Sequence, residues 1–217
     1  MGAKIEGHGT KTILVQGVTN LKKAEHEIIA DRIVAGTYII AALMLNSALE
    51  INNFNTIYLK SLIDILKKMG AKLKVSKNSI KVSDGSKLKS TSLSTSPYPG
   101  FPTDLQAQLM SLMCISDGKS KIKETIFENR FMHVPELNRL GANITVEKDT
   151  ATIIGNQTFK GAQVMASDLR ASISLVLAAM NANGQTTLNR VYHLDRGYEN
   201  IEKTLGSLGA KIKRQKN

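Results

Sequence analysis

The chain has 217 residues, 42% of them hydrophobic but only 5% aromatic and none Trp, so its core is aliphatic and large enough for one domain, or one plus part of another. A formal net charge of +11 admits an anionic partner, yet the basic residues are scattered singly and in pairs, as on a solvated surface, and no stacking aromatics interleave with them as in a nucleic-acid binder. No apolar run approaches the ~18 residues of a membrane span, and the lone Cys114 excludes an internal disulfide, so the expectation is a cytoplasmic protein without membrane insertion.

The chain opens on MGAKI, and Lys11–Gln16 reads as a return strand to it, which predicts a hairpin over residues 1–28. Asp31 then introduces an apolar helix over Ile33–Leu45, followed by a short strand at Leu49–Asn53. A second, amphipathic helix ends in LKKMGAKL (66–73), where Gly70 stops the helix and alternation begins, with a return strand at Ser79–Val82. The same order recurs. Asp104 precedes a helix over Leu105–Ile115, then come a strand at Lys121–Thr125, a helix ending in LNRLGANI (137–144) and a return strand at Thr150–Ile154. Asp168 precedes Leu169–Met180, then a strand at Thr186–Val191, a helix ending in LGSLGAKI (205–212) and a strand over Lys211–Arg214.

The repeated unit is therefore helix–strand–helix–strand–strand, about 70 residues long and present three times, which suggests a compact pseudo-threefold α/β domain rather than a solenoid. MGAKI matches the tail of a fourth copy. The expected division is a terminal hairpin at 1–28 belonging to a truncated first domain, and a second domain at 29–217 lacking its N-terminal strand.

Chemistry concentrates at the starts of the helices. Asp104 ends a proline-rich loop, Pro97–Thr103, and reads either as a helix cap, like Asp31 and Asp168, or as a general base; one oxygen could serve each role. Arg130 and Arg196 both lie just before the second helix of their units, where a guanidinium can grip phosphate or carboxylate, or simply pair on the surface with Glu128 or Asp195. Cys114 falls on a buried-looking helix face and reads as packing; His133 and His193 read as satisfied structural histidines. No His, Cys and carboxylate cluster has metal spacing, so no metal or cofactor is expected.

Four stretches carry a resemblance: PYPGFPTDLQAQ (97–108), FENRFMHVPEL (127–137), GAQVMASDLRA (161–171) and YHLDRGYE (192–199). In order and spacing they resemble the enolpyruvyl transferases, and among them the UDP-N-acetylglucosamine 1-carboxyvinyltransferases. The resemblance implies an inside-out α/β domain of three repeated units. It implies transfer of the enolpyruvyl group of phosphoenolpyruvate to UDP-N-acetylglucosamine with release of phosphate, in peptidoglycan synthesis. It makes Asp104 the base that meets the attacking sugar hydroxyl, and Arg170 an arginine near phosphoenolpyruvate oriented by Asp168. Arg130 and Arg196 become anion-binding residues, and Ile126 a backbone contact to the uracil nucleotide. The family's usual proton donor, a cysteine on a Gly-rich loop of a first domain, has no counterpart here. The partner expected is thus the missing N-terminal half of the same enzyme, without which this chain is expected to be inactive. The alternatives are a shikimate-pathway enolpyruvyl transferase, which the FENRFMHVPE phrase disfavours, and a non-catalytic basic repeat scaffold.

Overall fold

The computed structural model describes residues 1–84 and 87–215. Two short strands, β1 (Lys4–Glu6) and β2 (Leu14–Gln16), pair antiparallel as a hairpin, and residues 1–31 are exposed throughout. The first repeat comes next: α1 (Arg32–Met44), β3 (Leu49–Asn52), a 3-10 turn leading into α2 (Lys60–Lys68), then β4 (Lys72–Val75) and β5 (Ser79–Asp84). Its sheet has the order β3-β5-β4, all antiparallel.

The second repeat begins with a strand that was not expected, β6 (Ser92–Ser94), ahead of α3 (Gln106–Ile115) and β7 (Lys119–Lys123). After α4 (Val134–Arg139) come β8 (Asn143–Glu147) and β9 (Thr150–Ile154), giving the order β6-β7-β9-β8 with β6 parallel to β7. The third repeat has the same parallel pair, β10 (Gln163–Met165) with β11 (Thr187–Asn189), on either side of α5 (Leu169–Asn181), and then α6 (Ile201–Ser207). In both cases a strand, a helix and a second parallel strand make one crossover unit, whose leading strand the sequence pattern did not suggest.

The helix stops obey the glycine rule in all three units. Gly70, Gly141 and Gly209 have φ of 98°, 101° and 98°. In each, the next residue's amide reaches back to the last turn: Ala71 to Leu66 at 2.9 Å, Ala142 to Leu137 at 3.0 Å, Ala210 to Leu205 at 3.0 Å. These are Schellman closures, which need a left-handed residue and so favour glycine. Beyond the glycines the three units part. After Gly70 and Gly141 the chain enters β4 and β8, each laddered to a return strand. The strand expected at Lys211–Arg214 is not formed. No return strand stands beside it among the described residues, so its amides have no ladder to join.

The first helices of the three units form the centre. Ile39 and Ile40 of α1, Leu109, Met110 and Leu112 of α3, and Ile173 and Leu175 of α5 are fully buried. Sheets and second helices lie outside them. On β7 the buried positions are Ser120 and Ile122, while Lys119, Lys121 and Lys123 face solvent, which is how this chain carries its charge without a basic block. The fold is the α/β arrangement of repeated units expected, with helices inside.

Candidate active site

The N-termini of the three central helices differ in what their aspartates do. Asp31 accepts hydrogen bonds from the Ile33 and Val34 amides, at 2.7 and 3.2 Å, and caps α1. Asp168 accepts from Arg170 and Ala171, at 2.8 and 3.0 Å, and caps α5. Asp104 caps nothing. Its helix is preceded by a 3-10 turn over Thr103–Leu105, and the start of α3 carries no side-chain cap. The shared capping role expected from the three-fold pattern therefore fails at Asp104, because Asp104 lies inside that turn and Pro102 holds its cap position.

Two arginines take that carboxylate instead. The Arg130 guanidinium bonds Asp104 Oδ1 at 2.8 Å, and Arg170 Nε bonds the same oxygen at 3.0 Å. All three side chains are partly buried, Asp104 being 40% exposed and the arginines about half that. Burial pushes the Asp104 pKa up, but the hydrogen bonds and charges of Arg170 and Arg130 more than reverse it and hold the group below the ordinary carboxylate value. Asp104 is accordingly an ionised proton acceptor wedged between two cations. The terminal nitrogens of Arg170 have no bond among the described residues and can meet an anion.

Arg130 comes from the loop before α4, where its guanidinium also lies 5.1 Å over the Phe127 ring. It pairs with neither Glu128 nor Asp195; Asp195 pairs with Arg214, at 2.6 and 2.9 Å. Asp168 bonds the backbone of Arg170, not its guanidinium, so the orientation of that side chain comes from Asp104 rather than from the Asp168 carboxylate expected to supply it. Ile126 lies in the same loop as Arg130, but its amide is already given to Glu124 Oε1 at 2.9 Å, which leaves its carbonyl as the backbone group open to a ligand. Arg196 is exposed at the end of the 3-10 helix Val191–Arg196, and its side chain has no bond among the described residues. Its neighbours are seated beside the site. A Cβ on Gly197 would come within 2.8 Å of Leu169, and the Tyr198 hydroxyl lies 2.8 Å from Thr37 Oγ1.

Two groups around the site, Gln108 and Glu124, were not anticipated. Gln108 donates to the Asp104 carbonyl at 2.9 Å and to Thr37 at 3.2 Å, tying the Asp104 turn to α1 and, through Thr37, to Tyr198. Glu124 is buried and gathers the loops on either side of the site. His133 is 2% exposed with no partner for Nε2, so it is structural as expected but not fully satisfied. The other histidine, His193, stacks on Tyr192 with ring centroids 4.2 Å apart. Cys114 is fully buried, its thiol pushed up to about 12, which agrees with a packing role. Among the described residues no group of His, Cys, Asp and Glu could hold a metal ion.

Asp104, from the turn before α3, thus stands between guanidiniums from the loop before α4 and from the start of α5. The sequence model described as EPSP synthase (3-phosphoshikimate 1-carboxyvinyltransferase) matches residues 1–205. The chain belongs to this enolpyruvyl transferase family. A UDP-N-acetylglucosamine 1-carboxyvinyltransferase of Pelagibacter ubique is 51% identical over 214 residues, which are 99% of this chain and 51% of that protein. UDP-N-acetylglucosamine 1-carboxyvinyltransferase 2 of Mesorhizobium japonicum is 52% identical, again across 99% of this chain and 51% of its own length. The chain thus spans about half the length of the curated relatives it matches. Among solved structures, the enolpyruvyl transferase NikO from Streptomyces tendae superposes with a TM-score of 0.87 at 30% identity, covering 98% of this chain and 51% of that one. EPSP synthase from Acinetobacter baumannii shares the fold, with a TM-score of 0.76 at 18% identity over 99% of this chain and 53% of its own.

Proposed function

We propose that this chain forms one wall, the C-terminal one, of an enzyme that transfers the enolpyruvyl group of phosphoenolpyruvate to a hydroxyl of UDP-N-acetylglucosamine and releases phosphate. The observation that carries the reading is Asp104 Oδ1 held at 2.8 and 3.0 Å by Arg130 and Arg170. The reaction needs a base for the acceptor hydroxyl, an acid for the methylene carbon of phosphoenolpyruvate, and cations for its phosphate and carboxylate. Asp104 is the base, and Arg130, Arg170 and Arg196 are the cations. An aspartate this acidic is a weak acceptor while both guanidiniums hold it. A substrate anion that draws one of them off restores its basicity at the moment the acceptor arrives. Asp168 keeps the Arg170 backbone at the helix start, and the Ile126 carbonyl faces the nucleotide.

Cys114, the single cysteine, is buried core and so is not suited to be the acid. The acid and most of the nucleotide contacts come from a first domain outside these residues, and the exposed hairpin of residues 1–28 belongs with that domain rather than with 29–217. Ile5, Leu14 and Val15, apolar yet exposed on it, favour this. The UDP-sugar acceptor is preferred to shikimate 3-phosphate because relatives named for it are about 50% identical, against 18% for the solved EPSP synthase. Peptidoglycan synthesis and a cytoplasmic location follow from that acceptor.

The test is phosphate release. The chain, alone and mixed with the N-terminal half of the Pelagibacter ubique relative, is given phosphoenolpyruvate with either acceptor. We expect none from the chain alone, release with the UDP sugar on mixing, and none with Asp104→Ala. Full turnover by the isolated chain, or turnover only with shikimate 3-phosphate, overturns the reading.

A further inference from the structure

Glu124 is 4% exposed, and no arginine or lysine bonds it among the described residues. Four neutral donors do. Its Oε1 accepts from Thr95 Oγ1 at 2.8 Å, from the Ile126 amide at 2.9 Å and from the Phe127 amide at 3.2 Å; its Oε2 accepts from Thr103 Oγ1 at 2.9 Å. A buried carboxylate is costly unless its lone pairs are met, and charge-assisted bonds from neutral groups are the strong kind. The donors come from two separate stretches. Thr103 precedes Asp104 in the same 3-10 turn. Ile126 and Phe127 open the loop that carries Arg130, and the Phe127 ring lies beneath the Arg130 guanidinium. Thr95 adds a second tie, since its hydroxyl accepts from the Thr125 amide at 2.8 Å and its carbonyl accepts from the Thr125 hydroxyl at 2.5 Å.

We propose that Glu124 is a positioning residue whose carboxylate clamps the turn bearing Asp104 to the loop bearing Arg130, and so sets their 2.8 Å contact. Its value to catalysis rests on Asp104 being the base, but the clamp can be tested without substrate. The test is a carbon-13 carboxylate titration of Asp104 by NMR in the 217-residue chain, with Asp104→Asn to assign the signal.

Two effects of altering Glu124 have opposite signs. Removing its negative charge favours ionised Asp104 and lowers the midpoint; losing the clamp frees Arg130 from Asp104 and raises it. Glu124→Gln keeps an acceptor for Thr95 and both amides, and the Thr103 hydroxyl can turn to accept from the new NH2 group, so its midpoint stays or falls. Glu124→Ala loses the charge and every bond, so its midpoint lies above that of Glu124→Gln. Thr103→Val removes only the tie next to Asp104 and raises the midpoint. A folded Glu124→Ala protein whose Asp104 midpoint does not exceed that of Glu124→Gln overturns the proposal. Should Glu124→Ala fail to fold, Thr103→Val decides: a rise supports the clamp and an unmoved midpoint overturns it.

Discussion

Replacing His133 isolates one pH-dependent term of stability. The ring is 2% exposed, its Nε2 is unpartnered, and it lies behind the site among the charges of Asp168 and Arg130. Burial lowers its pKa to about 4 from 6.5; the Asp168 charge pulls upward, while the Arg130 charge pushes further down. In the unfolded chain the group protonates near 6.5, so between pH 6.5 and 4 the unfolded state binds the extra proton. Stability is therefore fully present above the unfolded value and is lost as pH falls through this window. Integrating that difference from about pH 7.5 to about 4.5 gives a loss of about 2.5 kcal/mol, a substantial part of a typical domain's stability. Asp104 and Asp168 also have depressed pKa values, but their losses begin below the ordinary carboxylate value of 3.8 and barely enter the window. The assay is urea unfolding at intervals across that pH range for the wild type and His133→Asn. The variant starts less stable, because a buried ring has become a smaller amide, but its curve is flatter by about 2.5 kcal/mol. Parallel curves for the two proteins would refute the argument that His133 is buried neutral.

The unequal aspartates give a paired prediction: Asp31→Ala costs about 1 kcal/mol in chemical unfolding through its lost cap, whereas Asp104→Ala changes stability by less than about 1 kcal/mol while abolishing the phosphate release expected of the mixture with the N-terminal half. Gly155→Ala is expected to destabilise by at least about 2 kcal/mol in the same assay, since the new Cβ meets backbone that cannot turn aside, the Ser116 carbonyl oxygen at 1.9 Å and that of Gly118 at 2.7 Å. Cys114 should react with a thiol reagent at neutral pH only as fast as the chain unfolds, because its thiol is fully buried and pushed up to about 12; fast labelling of the native protein would contradict this.

Features encoded over a few neighbouring residues are legible in the sequence. The three glycine stops depend on one left-handed residue and bonds spanning a single turn, so the LKKMGAKL-type phrase carries all of their information. The Asp31 and Asp168 caps are equally local. Features that depend on distant partners are not legible in this way. β6 and β10 are three residues long and exist because β7 and β11 lie beside them. The strand expected at Lys211–Arg214 has the right alternation but no strand beside it among the described residues, and alternation without a ladder does not make a strand. The site divides in the same way. The candidate residues Asp104, Arg130 and Arg170 are named by their motifs, but their convergence on one carboxylate oxygen spans 26 and 66 residues of sequence. Glu124 is not legible as a clamp, because two of its four donors, Thr95 and Thr103, lie 29 and 21 residues away.

The three copies have also diverged in a way that accounts for Asp104. In the first and third copies the aspartate is consumed by its own helix, which is where the amide donors and the helix dipole would draw any carboxylate. In the second, the Pro97–Thr103 loop leads into a 3-10 turn that closes with its own backbone, Leu105 N–H to Pro102 O at 3.1 Å, and the carboxylate is left over. Room for that turn comes from the first copy. Gly36 lies in the middle of α1, where glycine costs about 1 kcal/mol relative to alanine. A Cβ there would stand 2.7 Å from a methyl of Leu105, the fully buried residue next to Asp104. The first copy thus gives up helix stability to seat the turn, the second supplies the carboxylate and Arg130, and the third supplies Arg170. An aspartate that would otherwise be a third cap is in this way turned toward two guanidiniums, and the repeat's symmetry is broken at the position where the proposed transfer needs a carboxylate not spent on a cap.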